Sequence, residues 1–135
     1  MNAHAPCRTG KRATSHKINR TVNQCTLTLN VRAFIEGFYI HPQQMQPVLQ
    51  NAGVSGNNTI TDSITIELHN PTAPYAIVST GKVALHNDGW AQQTIAGTLS
   101  GGSFYIIVRS RNGIDIWSKF PVTMGLNTSF DFTAP

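Results

Sequence analysis

Charge is scarce in this chain: Asp, Glu, Lys and Arg make up 12% of its 135 residues, against 40% hydrophobic residues. With Thr, Asn, Ser and Gly plentiful, that mix favours pleated strands and turns over helices, and the low charge suits an extracellular β module. Cysteine is scarcer still. The two present, Cys7 and Cys25, both lie within the first 25 residues, so no disulfide framework staples the body of the domain. Long apolar runs are missing as well. The longest, Phe104–Val108, falls far short of the roughly 20 residues that cross a bilayer, so no membrane insertion is expected. The opening "MNAHAPCRTGKRATSHKINRTVNQC" contains no apolar stretch of about 7–15 residues, and no export signal is legible in it.

The formal net charge of +4 looks like a nucleic-acid signal until it is divided along the chain. Arg8, Lys11, Arg12, Lys17 and Arg20 face no acid in residues 1–25, whereas beyond them five bases meet six acids. The positive charge therefore belongs to residues 1–24, expected as a disordered basic tail whose polyanion binding is salt-sensitive and unspecific. No specific nucleic-acid partner is expected of the body, residues 25–133, which is nearly neutral.

What is abundant is Thr, Asn, Ser and Gly in alternating patterns. "LTLNVRAFI" sets Leu27, Leu29, Val31, Ala33 and Ile35 against Thr28, Asn30, Arg32 and Phe34, and "DSITIELHN" sets Ile64, Ile66 and Leu68 against Thr65, Glu67 and His69. "YAIVSTGKVAL", "WAQQTIAGTL" and "SFYIIVRS" follow, separated by Pro71 and Pro74, by "HNDG" and by "SGG". Between the first two strands, residues 36–58 read mainly as loop, with Val48 and Leu49 anchoring a short edge segment. Six or seven short strands without helical periodicity predict an all-β, two-sheet antiparallel sandwich of about seven strands. Asn112-Gly113, between "SFYIIVRS" and "IDIWS", predicts a two-residue type I′ hairpin turn. Its second strand sets Ile114 and Ile116 on one face, Asp115 and Trp117 on the other. The run Phe104–Val108 fits a central strand buried on both sides.

These segments carry a resemblance. "SGGSFYIIVRSRNGIDIWSKFPV", "LNVRAFIEGFYI", "ITDSITIELHNPTAPYAIV" and the closing "FDFT" resemble a β-sandwich module that stands near the C-terminus of large secreted and surface proteins of Bacteroidota. The likeness spans residues 27–133. It implies a transthyretin-like or immunoglobulin-like sandwich acting as spacer or adhesive unit, secretion or a cell-surface location, and neighbouring domains as partners. The family brings no catalytic residues. Its members continue into an acidic calcium-binding repeat and a sorting segment after the "FDFT"-like strand, neither of which transfers to Thr133-Ala134-Pro135. The basic tail has no counterpart there, so a gene fragment or a mispredicted start is expected.

Candidate chemistry is thin. His4, Cys7, His16 and Cys25 offer only one closely spaced zinc pair, so incidental residues in a tail are the simpler reading and no metal or cofactor is expected. The six acids are dispersed: Asp62 and Asp88 read as turn residues bonding local backbone, and Glu67 as the polar tooth of a strand. His69 and His86 read as strand-end polar residues rather than general bases, and neither a G-x-S-x-G elbow nor a G-x-x-x-x-G-K loop occurs. No enzyme is expected. The sharper rival to a scaffold is sugar binding, because aromatic faces match the C–H faces of sugars; Trp117, Trp90, Tyr39 and Tyr75 are its candidate residues. Core packing is the alternative use of those rings. A flat exposed patch joining Trp117 to Trp90 or to a tyrosine favours sugar binding, and scattered buried aromatics favour a scaffold.

Overall fold

The computed structural model describes residues 25–111 and 113–134; the segment 1–24, with His4, Cys7 and His16, lies outside the described residues, as does Asn112. The alternating segments form strands β1 (Thr26–Arg32), β2 (Tyr39–Ile40), β3 (Gln44–Met45), β4 (Ile60–His69), β5 (Ile77–His86), β6 (Trp90–Ala96), β7 (Ser103–Arg109), β8 (Ile116–Trp117), β9 (Val122–Thr123) and β10 (Asn127–Asp131). One sheet has the order β10-β1-β6. The other has the order β5-β4-β7, with β8 and β9 following one another along the remaining edge of β7. A small hairpin, β2–β3, stands apart.

Alternation supplies the reason the sheets stack. Leu27, Leu29 and Val31 of β1 with Ala91 and Ile95 of β6 face Ile64, Ile66, Leu68, Leu85, Ile106 and Val108 of the other sheet, and all are buried in one cluster. Each large aliphatic side chain so buried contributes about 1.5–3 kcal/mol. The molecule is the expected all-β sandwich, with one exception to its antiparallel order. Strand β10 pairs with β1 in parallel, Leu29 beside Thr128 and Val31 beside Phe130, because nearly the whole domain serves as the long connection that a parallel pair requires.

The turn after β5 carries the chain from one sheet to the other. Gly89 N–H donates to His86 O at 2.9 Å, and Gly89 sits at φ +92° with the space for a Cβ filled by the Phe34 ring at 2.8 Å. Only glycine meets both conditions. Asp88 behaves as the expected turn residue, its Oδ1 accepting Trp90 N–H at 3.1 Å. Gln93 of β6 reaches across the core: with its amide turned to suit its neighbours, it donates to Ile66 O at 3.2 Å and accepts from Gly81 N–H at 3.3 Å. A Cβ at Gly81 would stand 2.6 Å from that amide, which explains a glycine inside a strand.

Several expectations need correction. Strand β1 stops at Arg32 rather than Ile35. Val48 and Leu49 open a short helix, α1 (Val48–Asn51), instead of an edge strand, since Pro47 stands at its start and Asn51 N–H bonds back to Pro47 O. Asp62 lies within β4 rather than in a turn: it does bond local backbone, accepting Ser63 N–H at 2.8 Å, but it is buried and takes Arg111 in a two-pronged ion pair, Nε to Oδ2 at 3.0 Å and Nη2 to Oδ1 at 2.9 Å. That pair also undoes the two-residue turn at Asn112-Gly113. Such a turn would set residue 109 beside 116, yet Val108 is beside Ile116 and Ile107 beside Trp117. With Arg111 drawn to Asp62 and Arg109 to Asp115, the strands separate early and the connection widens.

Candidate functional site

The alternation that sends Ile66 and Leu68 inward sends Glu67 and His69 to the outer face of the larger sheet. Strand β7 adds Tyr105, Ile107 and Arg109 to the same face. Register then sets His69 beside Tyr105, Glu67 beside Ile107, and Ile107 beside Trp117 on the far side. Trp117 thus stands opposite Ile116, as the sequence pattern requires, and at the centre of an aromatic cluster.

Its ring centroid lies 5.0 Å from that of His69, 5.8 Å from Tyr105 and 6.3 Å from Tyr75, and Tyr75 and Tyr105 are 6.1 Å apart. Tyr75 meets Tyr105 and Trp117 edge-on, at interplanar angles of 73° and 90°, and Tyr105 is tilted against Trp117 at 59°, so the rings form a corner rather than a flat shelf. Trp117 and Tyr75 keep 45% and 44% of their surface in solvent, while Ile107 beneath the layer keeps none. This answers why "FYIIV" loses its alternation: its outward isoleucine has a lid of its own. Tyr75 reaches the cluster from the loop before β5, at φ +59° with its N–H on Thr72 O at 2.8 Å. A left-handed tyrosine is uncommon and costs on the order of 1–3 kcal/mol, strain of the kind that clusters where proteins bind ligands.

Below the rings runs an ion-pair chain. Glu67 Oε2 meets His69 Nε2 at 2.8 Å, Glu67 Oε1 meets Arg109 Nε at 3.0 Å, and Arg109 Nη1 donates to Asp115 Oδ2. Burial pushes the Glu67 carboxyl up, but hydrogen bonds from His69 and Arg109 and their charge outweigh it and hold the group below the usual carboxylate range. Its hydrogen bond and charge hold the Arg109 guanidinium above its ordinary value. Glu67 and His69 are therefore a buried, partnered pair rather than solvent-facing strand residues.

The four aromatic candidates separate into two places. Trp117 and Tyr75 meet in the cluster just described. Trp90 and Tyr39 gather instead around Arg32, at one end of the smaller sheet. The Arg32 guanidinium carbon lies 5.2 Å from the Phe34 ring centre and 5.8 Å from that of Trp90, and Phe34 packs edge-on against Tyr39 at 5.1 Å. Arg32 also donates to Gln43 Oε1 at 3.0 Å and to Asp88 O at 3.2 Å, and sits 3.7 Å from Asp131. Beside this knot, Asn30, His86, Asp88, Trp90, Gln92 and Ser129 line an open cleft of about 520 Å³ on the smaller sheet's outer face.

Sequence reasoning missed Tyr105, Arg109 and Arg32. Tyr105 and Arg109 alternate with Ile106 and Val108, so pairing β7 with β4 and β8 would have placed them beside His69, Glu67 and Trp117. Gly113 lines a second cleft, of about 600 Å³, with Phe34, Ile35, Ile114 and Ile116; there Ile114 is 89% exposed, so the apolar pair Ile114 and Ile116 is only loosely covered. Among the described residues no three His, Cys, Asp or Glu side chains converge on a metal position, and Cys25 is disulfide-bonded rather than a thiolate. No helix among them is long and apolar enough to cross a membrane. No family model matches the chain, and the searches of curated proteins and of solved structures give no match.

Proposed function

We propose that the chain is a non-catalytic binding module whose contact surface is the aromatic corner of Trp117, Tyr75 and Tyr105, with carbohydrate as the ligand class. The observation that carries this is the meeting of three rings on an exposed sheet face above a fixed layer of Glu67, His69, Arg109 and Asp115. Rings offer apolar faces to sugar C–H groups, and the exposed side chains of Arg109 and Asp115 at the edge of the layer offer a donor and an acceptor that orient hydroxyls. A corner suits a soluble, twisted glycan or a chain end better than a crystalline polymer sheet. The resemblance to surface-protein modules supports an adhesive role in a secreted or cell-surface protein with neighbouring domains.

The test is a glycan array run with the wild type and with Trp117→Ala, each paired with a melting curve. The reading expects array hits lost in a variant that still folds. An array without hits, together with collapse of the Trp117→Ala fold, returns the rings to a purely structural role.

A further inference from the structure

The smaller sheet's outer face has a different character. Inward Leu29 and Val31 put Asn30 and Arg32 of β1 outside, and inward Ala91 and Gln93 put Trp90 and Gln92 of β6 outside. Register then sets Asn30 beside Gln92 on one side and beside Ser129 of β10 on the other, and Arg32 beside Trp90 and Asp131. The result is a ladder of amides across three strands. Gln92 Nε2 donates to Asn30 Oδ1 at 3.0 Å, and Asn30 Nδ2 donates to Asn127 Oδ1 at 2.9 Å.

The geometry points to a second carbohydrate subsite on this face, built from Trp90, Gln92, Asn30, Ser129 and Asp88. It lies on the opposite outer face from Trp117. Each primary amide has two N–H donors and two acceptor positions; Asn30 spends both donors, on Asn127 Oδ1 and on Thr128 O at 3.4 Å, whereas exposed Gln92, which gives one N–H to Asn30, keeps an N–H and its Oε1 toward solvent. Vicinal hydroxyls of a sugar ring need that pattern: a donor and an acceptor side by side, held at fixed spacing. Trp90 supplies the apolar wall at the end of the ladder, and Arg32 against its ring fixes it in place. The cleft of about 520 Å³ falls within the roughly 300–1,000 Å³ common to small-molecule sites.

Charge selects the kind of sugar. Among the described residues, Arg32 is the guanidinium at the ladder's end and is taken up by Asp131, Asp88 O and Gln43, while the Asp88 carboxylate lines the cleft itself and repels a sulfate or carboxylate. The occupant is a neutral oligosaccharide. With two faces engaged, one module would bridge two glycan strands, a consequence that extends the proposed binding role; the subsite itself stands whether or not Trp117 binds.

Only two tryptophans occur in the chain, which isolates each face optically. In Trp117→Phe protein, Trp90 is the sole tryptophan; in Trp90→Phe protein, Trp117 is. Cellohexaose, xylohexaose and mannohexaose are titrated in turn into both while tryptophan emission is recorded. The proposal expects at least one of them to change Trp90 emission saturably in Trp117→Phe protein, and Gln92→Leu added to that protein to weaken the response at least tenfold. Gln92 is exposed, and the melting curve of the double variant verifies that it folds. No response of Trp90 to any of the three, or a response that Gln92→Leu leaves intact, overturns the subsite. A response confined to Trp117 in Trp90→Phe protein overturns the subsite alone, and a response confined to Trp90 supports it while removing the aromatic corner as the binding surface.

Discussion

On the larger sheet's outer face, Glu67, His69 and Ile107 are buried beneath Trp117, Tyr75 and Tyr105, whereas on the smaller sheet's outer face Gln92, Asn127 and Ser129 stand in solvent. Both faces belong to strands with the same inward alternation, so the difference arises from what the outward positions carry. Aromatic and ionic side chains can roof one another and make a second packed layer; short amides and hydroxyls can only link sideways. The first face therefore couples its surface to fold stability, and the second leaves its surface nearly free of that constraint.

The sharpest way to break this comparison is to remove a carboxylate from each face. Glu67→Ala strands a buried histidine and part of an arginine and should cost about 3 kcal/mol in denaturant unfolding, as loss of one partner from a buried pair does. Asp131→Ala removes a more exposed partner of Arg32 and should cost about 1 kcal/mol or less. Equal losses would erase the distinction. Next come the tryptophans. A fully buried Trp→Ala change costs about 3–5 kcal/mol, so half-exposed Trp117, roofing Ile107, should lose about 2 kcal/mol, with a smaller loss for Trp90→Ala.

Acid titration sharpens the contrast further. Both carboxyls lie below their ordinary range: burial raises each, but His69 and Arg109 win at Glu67, and Thr133 with Arg32 wins at Asp131. A carboxyl lowered by folding stabilises above its unfolded pKa of about 4, and that contribution fades as pH falls through the lower folded value. Melting temperature should therefore fall on acidification below about pH 4.5, the region of the unfolded glutamate pKa, and Glu67→Gln should flatten that fall. Asp131→Asn should flatten it less, because its side chain is 32% exposed against 10% for Glu67. An acid limb unchanged in Glu67→Gln would contradict the ion-pair layer. The smallest stability effect belongs to Gln92→Ala, within about 0.5 kcal/mol of wild type as for other exposed positions; a larger loss in a thermal melt would mean that the amide ladder is structural.

Alternation made the sandwich legible: Leu27, Leu29, Ile64, Ile66 and Leu68 all face the core as their period of two requires. Trp117 was legible too, because it stands out of phase with Ile116. What single-strand patterns do not carry is the neighbour across the ladder. Tyr105 looked like one more residue of an apolar run, and Glu67 like the polar tooth of a strand, until pairing set Tyr105 against the Trp117 ring and Glu67 across Ile107 from it. The Asn112-Gly113 signal was local and was overruled by a distant one, the Asp62–Arg111 pair, which lies 49 residues apart in the chain. Likewise nothing local separates Trp117 with Tyr75 from Trp90 with Tyr39; only the assignment of β6 and β8 to different sheets does that.

The central claim is that the aromatic corner is a binding surface, and the most direct measurement reads Trp117 itself. In Trp90→Phe protein, where Trp117 is the lone tryptophan, the glycan that scores highest on the array is titrated while emission is followed. The account predicts a saturable shift or quench of Trp117 emission, with the midpoint moved at least tenfold by Tyr75→Ala. Undiminished binding of that glycan with Trp117 emission unchanged at saturation would contradict it.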